Sequence, residues 1–553
     1  MQPRILLPLA TVALAFAAPA AANAAVTFDK QGNAVELTGD AANDNVALNV
    51  NDAGLITHNI TGAPGIADNT DFDPDPNTVG TLKNDNSASF TVKTLGGNDA
   101  VNLSVPDLAG ATVEGGDGDD IVVGSDSPDT LSGEAGNDRI TGFRGGDTVS
   151  GGDGSDVMTW NNGDGNDTND GGANNDETQI TLAAGDDNMT VVQNGTTTRF
   201  DRLGGGAFNV QMLNGTVEKL SITSFGGNDT LATNADVTIP MAVDGGPGND
   251  TIATGAGADL LNGFDGDDTL SGQGGGDRIV GDRGNDAMNG GAGDDTMVWN
   301  NGDNNDVMNG DDGVDRVETN LAAAGDIASL RNENGRVRFD RLNLVPFNLS
   351  ISAETFELNG LGGDDSLTTA PDVAIPLDVD AGAGNDVIQG GAASDSIDGG
   401  DGNDLVQVRE NVADFVRGGP GADTATVDAI DAVAGDVETV DRPVVTPPAA
   451  KPGAPKVALR ANVKRRVAGV RLTCPPAASG CKGTVKLTVK VGRKNKTVGR
   501  ARYSLKPGER ETVRIKVAKS ATKLAKKKRL VVRARVTADG AKTKTAKLTL
   551  RFK

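Results

Sequence analysis

The feature that most constrains this chain is a nine-residue period. From Gly115 the sequence divides into GGDGDDIVV, GSDSPDTLS, GEAGNDRIT, GFRGGDTVS and GGDGSDVMT. Every block carries Asp at its sixth place (Asp120, Asp129, Asp138, Asp147, Asp156) and an apolar residue at its eighth (Val122, Leu131, Ile140, Val149, Met158). A run from Gly245 repeats the pattern with Asp250, Asp259, Asp268, Asp277, Asp286 and Asp295. A third run from Ala381 supplies Asp386, Asp395 and Asp404, then weakens through Asp414 and Asp423 after one inserted residue. Repetition in fixed phase marks a solenoid, in which each unit buries its apolar face only against its neighbours.

Nine residues suffice for one turn and one short strand. Glycines at the first, second and fourth places allow the positive φ angles and close backbone approach of a tight turn. The triplet after the Asp alternates as a strand, with only its middle residue facing inward. Two such halves per coil wind a flattened parallel helix whose eighth-place residues stack into a narrow aliphatic core. The turns align too, gathering carboxylates and carbonyls of successive coils around common points. About six to eight oxygens at such a point suit a hard cation, and calcium better than the strictly octahedral magnesium.

The GGxGxDxUx blocks resemble the calcium-binding repeats of the RTX, or haemolysin-type, family over residues 115–159, 245–298 and 381–407. The resemblance implies a parallel β-roll in which the sixth-place Asp and turn carbonyls of one block share calcium with the block two further on. Asp120 would then act with the block of Asp138, Asp138 with that of Asp156, Asp250 with Asp268, and Asp259 with Asp277. Runs of this length imply roughly three and four sites, with fewer in the third run. The block containing Arg144, and the one in which Ala393 replaces a turn glycine, are expected to bind less well. Dense carboxylates around a small core imply runs that unfold in chelator and fold on calcium.

Composition agrees once the period is known. Of 553 residues, 37% are hydrophobic, 3% aromatic and 76 are Gly, which would otherwise suggest disorder; a disordered spacer, however, has no reason to repeat an aliphatic place. Glycine shows no three-residue period, which excludes collagen, and long apolar runs are too scarce for a multi-span membrane protein. The formal charge of −26 hides two halves, because residues 451–553 hold 32 Lys and Arg against Glu509, Glu511 and Asp539. That leaves 19 bases and 74 acids before them, an acidic body near −55 and a basic tail near +29.

Residues 1–24 read as a secretory signal: Arg4, an apolar stretch, then Ala22-Asn23-Ala24 as a small-x-small cleavage site. With no transmembrane span expected in the mature chain, the localisation is secreted or cell-surface associated. Cys474 and Cys481 suit a disulfide in that compartment, and with a single histidine in the chain they make a poor zinc site. The expected layout is a β-rich spacer at 25–114, run 1 at 115–179, a spacer at 180–244, run 2 at 245–318, a spacer at 319–380 and run 3 at 381–425. A Pro-rich hinge at 426–455 and a basic domain at 456–553 follow. Trp160-Asn161 and FDRL at 200–203 recur 139 residues later as Trp299-Asn300 and FDRL at 339–342. The tryptophans are expected to end each run by packing, the pairs Asp201/Arg202 and Asp340/Arg341 to be structural ion pairs, and His58 to lie at the surface. The spacers should continue the solenoid as irregular coils.

The tail changes period to two: Val485, Leu487, Val489 and Val491 alternate with Lys486, Thr488 and Lys490, as Val513, Ile515 and Val517 do with Arg514 and Lys516. Short antiparallel strands in this number fit a small β-sandwich resembling immunoglobulin-like modules without their Cys-Trp-Cys signature. The fold class is therefore all-β, a β-roll solenoid followed by an antiparallel sandwich. The cationic strand faces point to an anionic cell-wall polymer or polysaccharide. Nucleic acid is not expected, since Tyr503 and Phe552 are the only aromatics there to stack bases. No GxSxG elbow occurs and one histidine cannot supply HExxH, so no enzyme is expected. The sequence reads as an exported calcium-binding repeat protein with a structural or adhesive role; the alternative is a secreted hydrolase whose repeats serve export and folding.

Overall fold

A computed structural model describes residues 27–31, 34–40, 42–50, 56–58, 89–105, 108, 110–204, 206–443, 456–458, 462–464, 467–474, 481–506, 508–525, 529–538 and 544–552. The signal at 1–24 and residues 444–455 of the Pro-rich hinge lie outside these residues, as does the side chain of His58. The hinge expected from 426 is corrected in its first part, where Ala432–Val433 pairs in parallel with Phe415–Arg417 and Thr439–Asp441 with Thr424–Val427, so the solenoid continues to about residue 441. The chain divides into two compact units, Met1–Arg442 and Pro443–Lys553.

The first unit is a parallel β-solenoid of about 17 turns. Its register follows from the repeat: Ile121 lies opposite Arg139, and Arg139 opposite Val157, so one coil takes two nonapeptides. Intervening blocks stack in a second sheet, where Thr148 faces Thr130. In one sheet only three residues per block are extended, as in Ile121–Val123 and Arg139–Thr141, whereas in the other the strands run on into the next turn, as in Thr130–Ala135 and Thr148–Asp153. The middle residue of each triplet points inward, and Val122, Leu131, Ile140, Val149 and Met158 are all buried. Each such side chain contributes about 1.5–3 kcal/mol by burial, a sum spread evenly along the solenoid. A further ladder runs outside the turns at the fifth place. There Asp119 Oδ1 accepts the Asn137 N–H (2.9 Å) and Asn137 Oδ1 accepts the Ser155 N–H (2.9 Å), fixing register without metal.

The spacers continue the coils, but each also carries an antiparallel insertion. Asn188–Asn194 and Thr197–Leu203 form a hairpin, and Phe208–Leu213 returns antiparallel to the second strand while lying parallel to Asp167–Ala173. Ile327–Glu333, Arg336–Arg341 and Phe347–Ser352 repeat this arrangement against Asp306–Asp312. The irregular-coil expectation is corrected to this extent, and the cause is local. Asn-Gly at 334–335, with φ of 53° and 84°, makes the tight turn that two right-twisted antiparallel strands require.

The Trp motif and FDRL prove to be one packing unit. Trp160 stacks on Phe208 with ring centroids 3.5 Å apart, Trp299 stacks on Phe347 at 3.7 Å, and Phe200 and Phe339 lie tilted beside those phenylalanines. The indole N–H of Trp160 donates to Gly165 O (2.9 Å) and that of Trp299 to Asn304 O (3.1 Å), so both rings are buried and satisfied. The expected Asp201/Arg202 and Asp340/Arg341 ion pairs are corrected in partner. Arg202 reaches Asp187 (2.5 Å) and Arg341 reaches Asp326 (2.6 Å), while Asp201 pairs with Arg199 and Asp340 with Arg331 and Arg338. Neighbours in a strand face opposite sides and cannot meet.

In the second unit, Val467–Thr473 pairs antiparallel with Arg510–Lys516, and Cys481–Val491 lies antiparallel between Lys494–Leu505 and Arg529–Ala538. Lys544–Phe552 extends the latter group and joins Asn462–Lys464 in parallel, so one hydrogen-bonded sheet folds over a shared core. Val470, Leu472, Leu487, Ile515, Val532 and Leu550 meet there. Cys474 and Cys481 form a disulfide with Cα atoms 5.7 Å apart, and Lys519–Leu524 is a short helix. Among the described residues no helix is long and apolar enough to cross a membrane.

Candidate metal centre

All fourteen sixth-place carboxylates are buried along the two turn edges of the solenoid: Asp120, Asp129, Asp138, Asp147, Asp156, Asp250, Asp259, Asp268, Asp277, Asp286, Asp295, Asp386, Asp395 and Asp404. Their Oδ1 atoms build ladders, each accepting a backbone N–H from one coil earlier. Asp120 N–H donates to Asp138 (2.8 Å), Asp138 to Asp156 (2.7 Å) and Asp129 to Asp147 (2.8 Å). In the second run Asp250 donates to Asp268, Asp268 to Asp286, Asp259 to Asp277 and Asp277 to Asp295, each at 2.8 Å. Asp386 donates to Asp404 (2.9 Å).

The second oxygen carries the chemistry. Oδ2 of Asp120, Asp138, Asp147, Asp156, Asp250, Asp268, Asp277, Asp286, Asp295, Asp386 and Asp404 is buried with no hydrogen-bond partner. It lies against the first glycine of its own block: a Cβ at Gly133 would sit 2.0 Å from Asp138 Oδ2, and one at Gly263 2.2 Å from Asp268 Oδ2. A first-place glycine therefore leaves room for the Asp that folds back onto it, although Ala381 holds that place in the Asp386 block. Fourth-place glycines bring carbonyls into the same stack, since a Cβ at Gly136 would fall 1.8 Å from Gly118 O and one at Gly266 1.6 Å from Gly248 O. The second place keeps a left-handed backbone even when it is not Gly, as at Glu134 (φ 73°), Phe264 (φ 73°) and Gln273 (φ 63°).

A buried carboxylate oxygen without a partner is costly unless it meets a proton or a cation. Burial, reinforced by neighbouring carboxylates, pushes Asp120 up to about 7, Asp277 and Asp286 to about 7 and Asp147 to about 8. Among the described residues no three His, Cys, Asp or Glu side chains converge. The donor set is instead one carboxylate oxygen per turn, completed by main-chain carbonyls of adjacent coils. Such hard oxygen donors fit calcium, which bound there would neutralise paired carboxylates that the fold otherwise leaves exposed to one another.

Three of the fourteen differ. Oδ2 of Asp129, Asp259 and Asp395 accepts an N–H from its own turn, from Ser125 (2.5 Å), Gly255 (3.3 Å) and Gly391 (2.8 Å). Their Oδ1 atoms cap Ala111, Met241 and Leu377, which belong to no Asp block. Each is the second block of its run, GSDSPD, TGAGAD or GGAASD, and none holds the left-handed turn conformations seen elsewhere. The Arg144 block keeps the free oxygen on Asp147, and Arg144 itself reaches out to Asp126 at 3.3 Å. The ladders also run past the fourteen: Asp147 to Asp167, Asp156 to Asp176, Asp286 to Asp306 and Asp295 to Asp315. Glu218 and Glu354 close two of them by accepting the N–H of Asp176 (2.9 Å) and Asp315 (3.0 Å). The looser nonapeptides signalled the added aspartates; nothing in the sequence marked the two glutamates.

No curated protein matches the chain significantly. A family model described as RTX calcium-binding nonapeptide repeat (4 copies) matches residues 112–130, 123–158, 244–279, 271–304 and 378–406, which are the stretches where free carboxylate oxygens and stacked turn carbonyls recur. Over those residues the solenoid is thus built on RTX, haemolysin-type calcium-binding nonapeptide repeats.

Proposed function

We propose that this is an exported calcium-binding repeat protein whose solenoid folds as calcium loads it, and that it acts non-enzymatically in structure or adhesion at a cell surface. The observation that carries the calcium-triggered folding is the row of buried, unpartnered Oδ2 atoms. Without cations these charges oppose the coil stacking that buries them. Extracellular calcium modules work at about 10⁻⁴ to 10⁻³ M, so such sites would stay empty in a cytoplasm and fill outside.

The adhesive part rests on the second unit. Across its strands Lys486 stands directly opposite both Arg500 and Arg535, and Arg533 opposite Lys547. Their strands turn Val485, Leu487, Val532, Ala534 and Leu548 inward, leaving Arg500, Arg533, Arg535 and Lys547 exposed. Like charges directly opposite destabilise a sheet. No ion pair among the described residues offsets these. A linear polyanion, such as an acidic envelope polysaccharide, supplies the missing countercharge. The test is sedimentation of the calcium-loaded full chain with an insoluble acidic polysaccharide. Retention that fails with a neutral polysaccharide, and weakens in K486E/R535E, supports the reading; soluble product released from the polymer overturns it in favour of a hydrolase.

A further inference from the structure

The turn that precedes runs 1 and 3 has the same construction as the turns inside them, although it lies outside the matched repeats. TLGGND ends at Asp99 and GLGGDD at Asp365. Asp99 N–H donates to Asp120 Oδ1 (2.7 Å) and Asp365 N–H to Asp386 Oδ1 (2.7 Å), continuing the ladders one coil back. Leu95 and Leu361 take the left-handed second place at φ 71° and 67°, and Gly97 and Gly363 the fourth at 111° and 110°. A Cβ at Gly118 would fall 1.7 Å from Gly97 O, and one at Gly384 1.8 Å from Gly363 O, the same carbonyl stacking found at Gly136 and Gly266. Oδ2 of Asp99 and of Asp365 is buried without a partner, as is that of Asp120 and Asp386 across the step. Asp99 is 2% exposed and Asp365 6%. Thr94, at the first place of the Asp99 block, donates its hydroxyl to Gly115 O (2.5 Å).

At the turns of Asp229 and Asp326 the second carboxylate oxygen is already met by a protein group. The hydroxyl of Ser224 donates to Asp229 Oδ2 in the otherwise similar SFGGND block. Arg341 meets Asp326 Oδ1 (2.6 Å), and Asp326 Oδ2 takes the Ala322 N–H (3.3 Å).

We propose that calcium stacking begins one coil ahead of runs 1 and 3, at two sites of its own, between the turns of Asp99 and Asp120 and between those of Asp365 and Asp386. The proposal rests on the calcium reading of the runs and adds to it. Each new site joins two carboxylates and the main-chain oxygens of facing turns, and clamps a spacer coil to the run that follows. Asp229 is excluded, because its second oxygen has a donor.

Native mass spectrometry of the full chain, titrated with calcium alone, tests this. Asp99→Asn and Asp365→Asn keep the Oδ1 acceptor and should each bind one ion fewer than wild type at saturation. Asp229→Asn should bind as many, and the in-run control Asp138→Asn should bind fewer. Unchanged uptake in Asp99→Asn and Asp365→Asn beside reduced uptake in Asp138→Asn overturns the proposal and leaves the run sites standing. Unchanged uptake in all of them overturns the calcium reading itself. A crystal of the wild-type chain grown with calcium decides the matter without variants. Anomalous peaks between the Asp365 and Asp386 turns and between those of Asp99 and Asp120 are expected; peaks confined to the runs would refute the proposal.

Discussion

Asp268→Asn separates the two duties of a sixth-place carboxylate. Asparagine keeps an oxygen at Oδ1 to accept the Asp250 N–H, now 2.8 Å away, and replaces the unpartnered Oδ2 with an uncharged amide. Burial holds the Asp268 carboxyl up at about 6 against an ordinary 3.8. That corresponds to at most about 3 kcal/mol against the charged form at neutral pH, and water reaching the turn reduces it toward about 1 kcal/mol. In chelator the variant should therefore be as stable as wild type or more stable by about 1 kcal/mol. With calcium the sign reverses. A site with Kd of about 10⁻⁴ to 10⁻³ M contributes about 1.4–2.7 kcal/mol at about 10 mM calcium, and Asp268 faces two steps, toward Asp250 and toward Asp286. The variant should then lose about 3–5 kcal/mol. The residual β signal in EGTA and urea unfolding in calcium, both followed by circular dichroism, read the two arms. Equal destabilisation in the two conditions would refute the reasoning, since it would make Asp268 a backbone cap and nothing more.

Gly136→Ala places a Cβ 1.8 Å from Gly118 O at a φ of 142°, so it should cost about 2–3 kcal/mol or more in calcium, measured by the same unfolding curves. In chelator, stability should rise as pH falls. The ladder carboxyls, raised by burial to about 7 at Asp286 and about 8 at Asp147 and Asp306, hold protons that an unfolded chain with ordinary values of 3.8 has lost. The metal-free fold is therefore weakest above about pH 8 and gains down to about pH 4, while calcium affinity falls over the same range as protons compete. A β signal in EGTA that is flat or declines from pH 8 to pH 5 would count against this. Reducing Cys474–Cys481, separated by 7 in sequence, should lower the stability of the second unit by about 2.5 kcal/mol from loop closure and leave calcium uptake unchanged.

The repeat made the solenoid legible because one local rule, turn then inward residue, holds in block after block; Val122 and Ile279 face the core for the same reason. The alternation around Lys486 likewise exposed the sheet of the second unit. The antiparallel pairing of the strands at 188–203 and 327–341 does not follow from the Asn-Gly at their tips alone, because the neighbouring period equally suggests more coils. Asp201 and Arg202 do not pair, because adjacent residues of a strand point to opposite faces. Asp129, Asp259 and Asp395 differ from the other sixth-place residues through the missing left-handed turn, and their altered glycine pattern was present in the sequence. What no pattern could give is that Asp326 faces Arg341, since that contact depends on where the hairpin folds back.

The central claim is that calcium and the folded solenoid are linked. The most direct test is calorimetric titration of the full chain with calcium after EGTA treatment, with β structure followed by circular dichroism in parallel. Saturable uptake of roughly ten ions, rising together with the β signal, is the expected result. A chain that shows the same β signal in EGTA as in calcium, with no saturable heat, would contradict it.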